Sequence, residues 1–91
     1  MSDQATLYAE VMLGRDAEEF LASDLGRYIL ARVEEEERTA QERLAKVSPW
    51  RRNRIAELQA QIWRAQSLKS WLGELIVTGH QALSQLDAAD E

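Results

Sequence analysis

Apolar side chains recur along this chain at steps of three and four residues, the spacing that gathers them on one face of an α-helix. From Asp24 to about residue 47 the stripe is Leu25, Ile29, Val33, Glu36, Ala40, Leu44 and Val47, with a repeat of eleven residues that stays close to the natural helical turn. Opposite it, Glu34, Arg38, Glu42 and Lys46 alternate in sign at every fourth position, so that side faces water. Ser48-Pro49 ends the helix, because the residue before a proline avoids the α region and proline has no N–H to donate. A second helix then runs without a breaker over 50–86, opening either at Pro49 or with Asn53 as its cap. Its seam is Ile55, Leu58, Ile62, Ala65, Lys69, Leu72, Ile76, Gly79, Leu83 and Leu86, with Lys69 and Gly79 as flaws. Beside the seam lies a further stripe, Trp63, Leu68, Trp71 and Leu75, making an apolar surface wider than one neighbouring helix covers.

The segment ahead of these, 3–22, predicts shorter helical pieces. Leu7, Tyr8, Val11 and Met12 share a stripe, Gly14 reads as a C-terminal cap, and Asp16 to Glu19 has the spacing of a capping box. Ser23 followed by Asp24 is the start signal of the next helix.

The predicted fold is all-α: an antiparallel two-helix hairpin of 24–47 and 50–86, with a short N-terminal helical segment over the overhang and a disordered tail at 87–91. Facing residues are expected to have numbers summing to about 100, which brings Leu44 near Ile55. In that register Glu36, a charge on an apolar stripe, meets Arg64 as its ion-pair partner.

Composition agrees and narrows the functional classes. Ninety-one residues make one small domain, and a chain of that size buries only about two-thirds of its unfolded surface. Such a domain often completes itself by association, and completion as an oligomeric helical bundle is expected here. The absence of cysteine excludes disulfides and thiolate zinc sites. No apolar run approaches the length of a membrane span, and the opening Met1-Ser2-Asp3-Gln4 lacks the basic and apolar regions of a signal peptide. The expected location is therefore cytoplasmic.

The net charge of −5 is unevenly spread: residues 1–37 carry ten acids and three bases, residues 38–69 eight bases and two acids, and residues 70–91 four acids and no base. If the chain folds in half, one end is positive and the other negative.

Few residues suggest chemistry. His80 is the single histidine, and a metal site needs three or four converging ligands, so it reads as a surface or partly packed side chain. Glu34 to Glu37 point in four directions about 100° apart and cannot converge. There is no phosphate loop, nucleophile motif or spaced Glu-x-x-His pair, so an enzyme, a cofactor and a catalytic or metal site are not expected. The cluster Trp50, Arg51, Arg52 and Arg54 is the one group suited to binding. Arginines at a helix start oppose the macrodipole, so helix stability does not explain them. They suit phosphates with a stacked base, or an acidic protein partner. The overall acidity disfavours the first of these. Trp63 and Trp71, eight residues apart, share a face with Leu68 and Leu75, and this is the expected protein interface.

The run Phe20-Leu21-Ala22-Ser23-Asp24-Leu25-Gly26-Arg27-Tyr28-Ile29-Leu30-Ala31-Arg32 resembles a segment of small uncharacterised helical-hairpin proteins of tailed bacteriophages. Ile55 to Gln59, Trp71-Leu72 and Gly79-His80-Gln81-Ala82 are similar to their second helix, so that the resemblance spans roughly 18–83. It implies a phage or prophage origin and a helical hairpin, and it carries no activity. This chain departs from the group in its basic, tryptophan-bearing loop.

The expected function is that of a non-catalytic helical interaction protein, a virion or accessory component that self-associates, most simply as a dimer. The alternatives are a nucleic-acid-binding accessory protein using the arginine tip, and a small acidic inhibitor of a host protein using the Glu-rich face.

Overall fold

The computed structural model describes residues 3–89. Within them the regular structure is α-helical: α1 (Gln4–Ala22), α2 (Asp24–Lys46) and α3 (Arg52–Ala89). The two long helices lie where the sequence places them, except that α3 opens at Arg52, and neither at Pro49 nor with Asn53 as cap. It also continues to Ala89, so 87–89 are helical and not a disordered tail; 90–91 lie outside the described residues.

The N-terminal segment differs from expectation. It is one helix, capped by the Asp3 carboxylate, which accepts from the Thr6 N–H at 2.7 Å. That bond holds the Asp3 pKa below its ordinary value. Gly14 is no cap, and Asp16 opens no new helix. The buried side of α1 is Leu7, Val11, Gly14 and Ala17, while Tyr8 and Met12 are exposed.

Ser23 joins α1 to α2 and serves both. Its N–H donates to the Glu19 and Phe20 carbonyls, and its hydroxyl donates to the Phe20 carbonyl at 2.6 Å, satisfying orphan acceptors of α1. The same Oγ accepts from the Gly26 N–H at 2.9 Å, the N-cap the sequence predicts. The junction is tight: a Cβ on Gly26 would lie 1.5 Å from the Phe20 carbonyl oxygen, so no other residue fits.

By packing, the chain forms two compact units, residues 1–27 with 71–91 and residues 28–70, to both of which α3 contributes. In the first, Leu7 and Val11 of α1 close on Ala82 and Leu86 of α3, with Leu83 against them. Gly14 and Gly79 meet backbone to backbone: a Cβ on Gly14 would lie 2.8 Å from the Leu75 carbonyl oxygen and 3.0 Å from Gly79 Cα. In the second, Leu58 is 0% exposed, and Ala40 and Ala65 are buried as well.

One predicted contact of this unit does not form, although Glu36 and Arg64 border the same depression. Glu36 is exposed and pairs along its own helix with Arg32 at 3.6 Å, so the expected Glu36–Arg64 ion pair does not form. Glu37, 9% exposed, is the charge on the buried face, and its carboxylate accepts a hydrogen bond from the Lys69 ammonium. The side chain of Leu25, expected at the head of the buried stripe, is exposed.

Candidate interaction surfaces

The turn after α2 builds the basic tip from local backbone bonds. The Arg51 N–H donates to the Ser48 carbonyl at 3.0 Å, bending the chain back across Pro49. The Arg51 carbonyl accepts from the Ile55 N–H at 3.0 Å and opens α3. No acid stands in the first turn of α3, so nothing on the helix itself offsets the positive end of its dipole. Trp50, held in the turn, is 89% exposed. Arg54 is drawn toward Glu57, one turn on, at 3.1 Å. Arg51 and Arg52 are exposed and, among the described residues, have no ion-pair partner. The structure thus brings Trp50, Arg51, Arg52 and Arg54 together around one open cleft.

Farther along α3 in the same unit, Trp63 is 65% exposed and Leu68 is half-buried. In the other unit Trp71, 59% exposed, lines a shallow apolar depression with Leu75, Glu74 and Thr78. Each unit therefore shows an aromatic ring of α3 to solvent.

A third surface lies on α1. Tyr8, Met12, Asp16 and Glu19 are all exposed and follow one another at helical spacing, opposite the buried Leu7, Val11, Gly14 and Ala17. The sequence signal was present in the split of apolar and acidic residues along this face. A glycine at position 14 masks it, because by local propensity that residue reads as a helix end.

His80 is exposed and reaches Glu18 of α1, with Nε2 2.7 Å from Oε1. The contact borders a small groove with Arg15 and Val11 near the glycine crossing. Among the described residues no group of three or more His, Cys, Asp or Glu side chains is arranged to hold a metal ion. Nor is any helix among them long and apolar enough to cross a membrane.

No protein-family model, curated protein or solved structure matches this chain.

Proposed function

We propose that the chain is a non-catalytic helical interaction protein that self-associates, an antiparallel hairpin with an N-terminal helix completed as a two-fold dimer. The observation that carries this reading is that all three tryptophans are more than half exposed. Tryptophan is on average a well-buried residue, and exposed it is among the side chains most enriched at interface hot spots. Trp63 with Leu68, and Trp71 with Leu75, supply faces that association would cover. The contact of Glu37 with Lys69 supports the hairpin, because it links residues on either side of the Ser48-Pro49 turn. Two-fold pairing is the commonest closed solution for such faces. A role as a virion or accessory component of a phage or prophage follows from the resemblance of 18–83, and the genes flanking this one test it.

Sedimentation at tens of micromolar is the direct test of association. The expected mass is twice the 10.4 kDa of the monomer. Trp63→Ala with Trp71→Ala should lower it without loss of helicity. A clean monomer whose tryptophan emission is independent of concentration rejects the reading.

The exposure of Trp50 beside Arg51 and Arg52 favours a second reading, nucleic-acid binding through the tip. Binding of a fluorescent single-stranded oligonucleotide that weakens steeply with salt would support it, and absence of binding at low salt would reject it.

A further inference from the structure

The basic tip and the exposed face of α1 carry complementary features. By sequence, residues 1–27 and 71–91 hold ten acids and two bases, and residues 28–70 hold six acids and nine bases. The two compact units therefore have net charges of −8 and +3. Within the positive unit, Arg54 already has Glu57, which leaves Arg51 and Arg52 as unpaired cations flanking an exposed indole. Within the negative unit, the outer face of α1 runs from an apolar half, Tyr8 and Met12, to an acidic half, Asp16 and Glu19. Asp16 and Glu19 likewise have no ion-pair partner among the described residues, whereas Glu18 is engaged by His80.

We propose that the tip of one copy docks on the outer face of α1 of a second copy, Trp50 covering Tyr8 and Met12 while Arg51 and Arg52 face Asp16 and Glu19. The proposal rests on the self-association reading and assigns that association a contact apart from the Trp63 and Trp71 faces. An aromatic ring and a methionine side chain make a favourable apolar contact. Arginine offers a carboxylate two parallel donors, which fixes direction as well as adding attraction. A polyanion fits less well, because the chain's net charge of −5 repels it at a distance. The acidic α1 face has the sign that the tip attracts.

A charge swap tests the contact. Arg51→Glu with Arg52→Glu should weaken self-association roughly tenfold or more, and Asp16→Arg with Glu19→Arg should do the same. Both pairs are exposed, so circular dichroism should show full helicity in each. Mixing the two variants should restore association, because each contact between unlike copies is then complementary. Fluorophores placed on the two variants should report unlike pairs in the mixture and little pairing in either variant alone. Trp50→Ala should weaken association without changing its dependence on salt. A wild-type chain that stays monomeric rejects the self-association reading and this contact with it. A wild-type dimer unaffected by either reversal, or weakened by both but not restored on mixing, rejects the contact and leaves self-association standing. Loss of oligonucleotide binding in Arg51→Glu/Arg52→Glu, with the mass unchanged, would assign the tip to nucleic acid instead.

Discussion

Gly14 of α1 and Gly79 of α3 touch through their backbones: a Cβ on Gly79 would stand 3.0 Å from Gly14 Cα and 3.1 Å from the Glu10 carbonyl oxygen. Two helices approach this closely only where neither carries a side chain at the crossing. The contact sets the depth at which Leu7 and Val11 reach Ala82 and Leu86, and so fixes the core of this unit. A glycine in a helix interior costs about 1 kcal/mol relative to alanine, and the crossing carries that cost at both Gly14 and Gly79.

Gly79→Ala is therefore expected to destabilise although alanine is the better helix former. Overpacking typically costs about 1–3 kcal/mol and here meets backbone, which has little room to yield. Gly73 lies on the same helix with nothing within 4 Å of its virtual Cβ, so Gly73→Ala should stabilise by up to about 1 kcal/mol. Urea unfolding followed by circular dichroism measures both. A stabilised Gly79→Ala would show that the helices do not cross at this depth.

Gly26→Ala should be the more damaging glycine substitution, because its Cβ would fall 1.5 Å from the Phe20 carbonyl oxygen and 2.5 Å from its carbon. The junction at Ser23 would have to open, breaking the hydrogen bonds that close α1 and cap α2. Loss of the cap alone is worth about 1 kcal/mol, and Ser23→Ala should show that smaller loss. Equal effects of the two substitutions would mean that the close approach is relieved at no cost.

Much of α3 is legible in the sequence because a long helix with strict steps of three and four leaves its buried side in little doubt. All ten seam positions from Ile55 to Leu86 are buried or half-buried. Lys69 and Gly79 stand out in that seam as flaws, yet their meaning depends on partners far off in sequence, Glu37 and Gly14. The error between Glu36 and Glu37 has a simple origin. In a run of four glutamates no side chain marks the apolar face, and a shift of one residue turns the helix by about 100°. Gly14 misled for the opposite reason: local propensity reads glycine as an end, whereas packing against α3 selects it mid-helix. The exposure of Trp63 and Trp71 is in keeping with their place beside a seam that one neighbouring helix covers, and that of Trp50, Arg51 and Arg52 with their place after the Ser48-Pro49 break.

Glu37 and Lys69 should prove coupled. Lys69→Ala leaves the carboxylate on a buried face without its cationic partner, so it should destabilise more than the double variant Glu37→Ala/Lys69→Ala. The Lys69 hydrogen bond, opposed by desolvation and helped by Gln66, holds the Glu37 pKa below its ordinary 4.5. Its contribution is therefore complete above that value and is lost as pH falls through the depressed folded pKa. Unfolding free energies measured from neutral pH down to pH 2 should fall less steeply in Glu37→Gln than in the wild type. Parallel acid limbs, or single substitutions whose effects simply add, would show that the pair is a loose surface contact.

Leu58 should be the most sensitive apolar position of the 28–70 unit. It is fully buried, and no other large side chain of the chain is as completely enclosed among the described residues. Leu58→Ala is accordingly expected to cost about 2–5 kcal/mol, the range for buried leucine truncations. Leu72, on the same seam but half-buried, should cost less on truncation because part of its side chain already meets water. Trp50 gives the contrast: with 89% of its surface exposed, Trp50→Ala should change monomer stability by no more than about 0.5 kcal/mol. Chemical unfolding at submicromolar concentration, where association makes least difference, separates the three. A Trp50→Ala variant as unstable as Leu58→Ala would mean that the indole is packed within its own chain, and neither of the interactions drawn from the tip would then stand.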